Sequence, residues 1–178
     1  MDNFHEEVII KRDRTLLDIL FSLALVMMIF LAVLAFMGLQ AIIAGNFDVV
    51  LIAYTLLTGA GAVFLYMRRD RLRTEYDYTF TNGILDFAQV FNSAKRKPLG
   101  TMNVKNVEAC GYVSSGSFHR YATMPDVKRM NWFLNRDSEL FYFFFVKDGV
   151  KKMIVIEPGE KMVALIKQYV ARNAFQVS

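Results

Sequence analysis

The chain has 178 residues and a formal net charge of +4, a length that suits one domain or a membrane segment with one small domain. Hydrophobic residues make up 54% of it, above the roughly 45–50% that is usual for soluble proteins. The excess lies before residue 68, whereas residues 74–178 have an ordinary globular mixture. The single cysteine excludes an intrachain disulfide, which agrees with a reducing compartment.

Two apolar segments near the N-terminus are each long enough to cross a bilayer. Residues 19–39 and 49–67 contain no charged side chain. At about 1.5 Å per residue, a helix of either length covers a hydrocarbon core roughly 30 Å thick. Neither segment has the polar face that a core helix of a soluble protein shows. We therefore predict two transmembrane helices, and the first apolar run is too long to be a secretory signal.

The flanks of these segments predict how the hairpin is oriented. The short connection, residues 40–48, turns at Gly45-Asn46, and Asp48 is the predicted N-cap of the second helix. It contains no Lys or Arg, whereas seven basic residues flank the hairpin on its other side: Lys11, Arg12, Arg14, Arg68, Arg69, Arg71 and Arg73. Positive residues stay cytosolic, so we predict a multi-pass plasma-membrane protein with both termini, including residues 1–18, in the cytoplasm.

Small residues follow one face of the second predicted helix. Thr55, Gly59 and Ala62 lie close together on it, and they would allow close approach to the first helix or to a second copy. Simple tolerance of glycine in lipid is the alternative. Neither span holds an ionisable residue at depth, which disfavours an ion-coupled transporter.

Residues 74–178 are predicted to form a cytosolic domain of antiparallel strands followed by a helix. The alternation in 74–81, the Asn82-Gly83 dipeptide and residues 84–91 together predict a β-hairpin. Residues 92–98 are predicted as a polar loop and 125–133 as a helical turn or irregular loop. Strands are predicted at 99–103, 107–112, 118–122, 139–146 and 150–157, with a tight turn at Lys147-Asp148-Gly149 that joins the last two as a hairpin. An amphipathic helix is predicted at 160–174.

The strand at 139–146 is apolar on both faces. Such a run predicts either a central strand that is covered on both sides or a strand with one face serving as an interface. With about six or seven antiparallel strands and one C-terminal helix, the fold class is predicted to be α+β.

This order resembles the bacterial pleckstrin-homology-like (PH-like) membrane proteins, in which a two-helix hairpin leads into an antiparallel split β-barrel capped by a C-terminal helix. Residues 78–85, Tyr-Thr-Phe-Thr-Asn-Gly-Ile-Leu, resemble the opening hairpin of that family, and residues 99–107 resemble its lead into the next strand. The resemblance covers residues 15–174 and implies a fold but no chemistry. Residues 114–136 depart from the pattern. The chain also resembles small membrane proteins of Gram-positive bacteria, which implies no activity.

A basic cluster, Lys95, Arg96 and Lys97, falls in the predicted loop. In membrane-binding pleckstrin-homology domains, basic loop residues hold lipid phosphates, and near a membrane each charge contributes about 1 kcal/mol of attraction. The basic excess of the domain favours anionic lipid over nucleic acid as a partner. A solvated loop is the alternative reading of the cluster.

No pattern typical of catalysis stands out. The stretch 114–117 with His119 and Arg120 offers backbone N–H groups to a phosphate, but it lacks phosphate-loop spacing, and a flexible loop is favoured. Cys110 with His119 lacks an orienting third group, and a buried structural cysteine is favoured. With only two histidines, no metal site is predicted, and no cofactor is expected.

Trp132 and Phe133 are predicted to be core residues, with a partner-binding groove as the alternative. We therefore predict a membrane-anchored, non-enzymatic interaction or assembly module whose partner is a protein or a second copy of the chain. An anionic-lipid sensor is the second hypothesis, and a membrane-bound enzyme is the third.

Overall fold

The computed structural model describes residues 3–176, which form two compact units. One unit comprises residues 13–74 with 91–94, and it is helical. The other comprises residues 3–12, 75–90 and 95–176 and contains both β-sheets. The second unit therefore includes residues from both sides of the helical segment.

The helical unit consists of α1 (Thr15–Ile43), α2 (Val49–Arg69) and a 3₁₀ turn at Asp70–Leu72. By length and composition, both long helices are able to cross a membrane. Gly45 adopts a positive φ of 98° between them. The Asp48 carboxylate accepts a hydrogen bond from the Val50 N–H at 2.8 Å, so the predicted turn and N-cap are confirmed.

The first sheet has the order β1-β2-β3-β4, with β1 (Phe4–Ile9), β2 (Thr74–Thr81), β3 (Ile84–Phe91) and β4 (Lys95–Asn103). Strand β1 is antiparallel to β2, with Phe4 opposite Thr81 and Ile9 opposite Tyr76. No strand is predicted within residues 1–18 from the sequence alone. The inward positions of β1 include His5 and Glu7, which hide the apolar alternation that marks a half-buried strand.

The second sheet has the order β5-β7-β8-β6, with β5 (Ala109–Tyr112), β6 (Lys128–Trp132), β7 (Phe141–Lys147) and β8 (Val150–Ile156). Strand β6 runs parallel to β8, whereas β7 is antiparallel to both β5 and β8. The predicted count of about six or seven strands is confirmed for residues 74–176, which hold β2–β8, but the β6–β8 pair is parallel and not antiparallel. Residues 3–176 hold eight strands, and one pair is parallel.

Tight turns join the predicted hairpins as expected. Asn82 and Gly83 have φ values of 51° and 92°, and Asp148 and Gly149 have values of 54° and 73°. Two successive positive φ angles are typical of the turn that suits the twist of a two-residue hairpin. Both sequence-based hairpin predictions are confirmed.

Residues 114–136 differ from the prediction in two places. A strand was predicted at 118–122, but α3 (Gly116–Ala122) lies there, since Phe118, Tyr121 and Ala122 have helical spacing and pack on the second sheet. The irregular loop predicted at 125–133 contains β6, in which Met130 and Trp132 alternate with polar residues.

The main core lies between the two sheets and is closed by α4 (Glu160–Tyr169). Phe141 and Phe143 of β7 face this core, while Tyr142 and Phe144 face a second cluster under α3. The prediction of a central strand covered on both sides is confirmed, and so is the α+β class. Helix α4 is shorter than the predicted 160–174, because residues 174–176 instead bond to the backbone of Cys110.

Candidate functional sites

The basic cluster lies at the start of β4 and not in a loop, which corrects the prediction. Lys95, Arg96 and Lys97 are exposed, and successive strand residues point to opposite faces, so the two lysines share a face that Arg96 does not. Arg96 Nη2 lies 3.6 Å from Asp77 Oδ2. Burial raises the pKa of Asp77, and Arg96 opposes that rise. The three basic side chains thus lie on two faces of the strand, and Arg96 has a carboxylate partner in Asp77.

The turn before β4 belongs to the helical unit. Asn92 donates its backbone N–H to the carbonyl of Arg73 at 2.7 Å, and its side chain reaches Asp70 at 3.4 Å. Arg73 also bonds Asp18 of α1, with Nη2–Oδ1 at 2.9 Å, and stacks over the Phe21 ring. A polar network therefore holds the end of α2, the start of α1 and this turn together.

The small residues predicted for helix packing lie along the α1–α2 contact. Thr55 packs so closely against Gly38 that an added Cβ at Gly38 would overlap its side chain. An added Cβ on Gly59 would lie 3.8 Å from Ala35. Ala62 and Thr55 are partly buried within the hairpin. Close approach of two helices through small residues is the usual packing mode in lipid.

In the serine-rich stretch, Ser114 is exposed, whereas the hydroxyl groups of Ser115 and Ser117 are hydrogen-bonded within the domain. Ser115 Oγ donates to the Tyr112 carbonyl at 2.7 Å, and Ser117 Oγ accepts from the Tyr142 hydroxyl at 3.0 Å. These bonds tie the start of α3 to the second sheet. His119 and Arg120 are exposed on α3.

Cys110 is fully buried in the main core, whereas His119 is exposed. Burial raises the pKa of the Cys110 thiol to about 12, which disfavours the nucleophilic thiolate. In the part of the chain that the structure describes, no group of three or more His, Cys, Asp and Glu side chains is placed to hold a metal ion.

Trp132 and Phe133 face in different directions. Trp132 packs on the main core, with its ring centroid 4.9 Å from that of Phe87, and its carbonyl accepts a hydrogen bond from the Tyr78 hydroxyl. Phe133 packs with the cluster under α3. These two aromatic side chains therefore do not form one surface.

A buried polar clamp, formed by Glu157, Asn135 and Ser138, is not predicted by the sequence. The Glu157 carboxylate accepts hydrogen bonds from the Asn135 N–H at 3.0 Å, the Asn135 Nδ2 at 2.8 Å and Ser138 Oγ at 2.6 Å. Asn135 in turn bonds the backbone of Ile10 and Arg12. The clamp thus fixes the chain where it leaves β1. A carboxylate directly after the apolar β8 was its only signal in the sequence.

A second polar contact joins β1 to the N-terminus of α4. Both carboxylate oxygens of Glu7 in β1 lie 3.0 Å from the backbone nitrogen of Gly159, the N-cap residue of α4, and accept its N–H. A carboxylate at a helix N-terminus satisfies a free N–H group and is favoured by the helix dipole. This non-local cap explains the inward acidic residue of β1.

Comparison with known proteins identifies one family. A family model described as "Bacterial PH-like domain (DUF6106)" matches residues 1–176. Neither a search of curated proteins nor a search of solved structures found a match.

Proposed function

Because the chain belongs to the bacterial PH-like domain family (DUF6106), we propose that it is a membrane-anchored, non-enzymatic interaction module. In this proposal α1 and α2 cross the plasma membrane as a hairpin, and the PH-like domain works at its cytoplasmic face. Its partner is another protein or a second copy of the chain.

The pairing of β1 with β2 is the observation that carries the proposal. Strand β1 precedes the helices and β2 follows them, yet the two are hydrogen-bonded neighbours in one sheet. Two chain ends joined in one folded sheet must lie on the same side of a bilayer. A membrane segment between them must therefore cross an even number of times, which two helices do. The basic flanks favour the cytoplasmic side independently.

Membrane anchoring and orientation are testable with engineered cysteines, because the native Cys110 is buried and should not react with a maleimide in the folded protein. We expect Asn46→Cys, in the α1–α2 connection, to react with a membrane-impermeant maleimide in intact cells. Lys105→Cys, exposed in the PH-like domain, should react only after lysis. The opposite labelling pattern, or a full-length chain that stays dissolved without detergent, would contradict the proposal.

The interaction itself is testable by crosslinking in intact cells, followed by purification of the full chain in mild detergent. We expect a crosslinked product of defined stoichiometry, either with one partner protein or with a second copy. Recovery of the uncrosslinked monomer alone, at every reagent concentration, would count against an interaction module.

An anionic-lipid sensor remains the second candidate, and one observation favours it. Lys95 directly follows residues 91–94, which belong to the unit of the two long helices and bond to its Arg73. Basic residues that close to a membrane segment attract anionic headgroups. The proposed test is hydrogen exchange of β4 with the full chain in phosphatidylcholine nanodiscs, with and without phosphatidylglycerol. Identical exchange of β4 in both would eliminate the sensor.

A further inference from the structure

The edge strands β4 and β6 line one groove in the PH-like domain. A hollow of about 150 Å³ lies between them, and an adjoining hollow of about 190 Å³ shares Thr101, Phe145 and Lys147 with it. The first hollow is lined mostly by apolar side chains: Phe87, Leu99, Met130, Trp132, Phe145 and Ile154.

The apolar part of the groove is firmly built. Trp132 and Phe87 rings lie in tilted contact, and Trp132 is held by its strand pairing with Ile156. A dry apolar cavity of about 150 Å³ in a protein is known to hold a molecule the size of benzene. The groove therefore has room for a ring or for a short alkyl group.

Lysines stand at one end of this apolar lining. Phe143 and Phe145 of β7 face the space between the sheets, and Lys147 follows them on the same face. Lys152 lies opposite Phe145 in the β7–β8 register, and it lines the first hollow together with Lys147. Lys152 is half-buried.

The positive charge at this end is not balanced within the domain. Lys128 of β6 is the register partner of Lys152, and like charges on neighbouring strands destabilise a sheet. Throughout residues 3–176, no carboxylate lies within ion-pair distance of Lys128, Lys147 or Lys152. An anion in the groove would relieve this repulsion.

We propose that the groove binds a small amphiphilic anion. Its phosphate or carboxylate group lies at Lys147 and Lys152, with Lys128 as the strand neighbour of Lys152, and its apolar body, the size of a ring or a short alkyl chain, lies against Trp132. Charge complementarity selects the anionic end, and the apolar lining selects the body. The basic cluster at the start of β4 lines neither hollow, so this site is separate from it.

Trp132 is the only tryptophan of the chain, so its fluorescence reports on the groove. The full chain in phosphatidylcholine nanodiscs is titrated with hexyl phosphate, with inorganic phosphate and hexanol as half-ligands. We expect a saturable emission shift with hexyl phosphate at concentrations where neither half-ligand gives one. An emission that does not change with hexyl phosphate would overturn the proposal.

The matched variants are Lys147→Gln with Lys152→Gln, and Lys105→Gln with Lys161→Gln as an exposed control pair. We expect the first pair to weaken binding about tenfold or more, because charge-assisted hydrogen bonds are lost. The control pair should leave the affinity unchanged. The first pair should fold normally, since it removes repulsion. If the two double variants bound hexyl phosphate with equal affinity, Lys147 and Lys152 would not be part of the site.

Nanodiscs containing phosphatidylglycerol separate the two sources of such an anion. If a lipid headgroup occupies the groove, the emission shift appears before titration, and hexyl phosphate must compete for it. If the ligand is soluble, the titration curve is the same in both lipids. An acidic peptide that shifts the emission where hexyl phosphate does not would replace the proposal with a protein-binding groove.

Discussion

Replacing Glu157 with alanine should shift the opening equilibrium of the PH-like domain strongly toward the open, partly unfolded state. The substitution removes the acceptor of two short hydrogen bonds from Asn135, which is itself buried. The bond from Leu134 is longer, at 3.3 Å, and Ser138 is partly exposed, so its hydroxyl is able to turn to water. Hydrogen bonds to a charged group contribute about 1.5–3 kcal/mol each. The two Asn135 bonds alone therefore predict a loss of at least about 3 kcal/mol, which is more than about a hundredfold in the opening equilibrium.

Cys110 supplies the assay, since it is buried in the main core and is the only cysteine in the chain. With reclosing faster than modification, the rate of thiol labelling follows the population of the open domain. We expect Glu157→Ala to be labelled at least about 100-fold faster than the unmodified chain in the same detergent. Helices α1 and α2 contribute no thiol, so they do not mask the signal.

The control is Glu139→Gln, an exposed carboxylate in the same region. It should leave the labelling rate nearly unchanged. A rate for Glu157→Ala within about threefold of the unmodified chain would mean that the clamp contributes less than about 1 kcal/mol, and the reasoning would be wrong.

Three further outcomes are expected. Gly159→Ala should lower the free energy of unfolding by about 1–2 kcal/mol in thermal denaturation, because the added Cβ overlaps the Glu7 carboxylate and displaces the cap. Alkylation of native Cys110 should stay negligible at pH 9, since its pKa of about 12 keeps the thiol protonated, and should become fast in denaturant. Asp77→Asn should stabilise the domain slightly at neutral pH, by less than about 1 kcal/mol, because burial penalises the carboxylate more than Arg96 helps it.

The sign of the last effect follows from the raised pKa. Asp77 takes up a proton in the folded state at a higher pH than in the unfolded chain, so acid relieves its burial cost. The advantage of Asp77→Asn should therefore fade as the pH falls through the raised pKa. Asp126→Asn is the exposed control, and a growing advantage at acid pH would contradict this account. Gly116→Ala, with open space around its Cβ position, is the control for Gly159→Ala.

The elements with strong local signals were predicted well. Uninterrupted apolar runs gave the two long helices, and Asn82-Gly83 and Asp148-Gly149 gave the hairpins, because positive φ angles are encoded in a pair of residues. The secondary-structure predictions that were wrong share one cause, because in those segments tertiary contacts determined the structure. Residues 118–122 have aromatic residues that suit a strand, but the second sheet offers a face on which they pack as α3.

The polar contacts could not be predicted from the sequence for a different reason. Glu7 and Gly159 are far apart in the chain, and no local pattern relates them. Glu157 and Asn135 become partners only once β6 and β8 lie side by side in the sheet. The two lysines that line the groove belong to β7 and β8, and Lys128 of β6 neighbours Lys152 only because of the strand register.

The interruption of the sheet between β1 and β2 sets an order for biosynthesis. Strand β1 leaves the ribosome first, but its partner β2 is made only after both long helices. Until then β1 has an unsatisfied backbone, and the acidic side chain that caps the last helix has nothing to bind. On the proposed topology, the second helix brings the nascent chain back to the side of the membrane on which β1 lies. On that topology, a chain that inserted only one of the two helices would leave β1 and β2 on opposite sides of the bilayer, so completion of the sheet would depend on insertion of the whole hairpin.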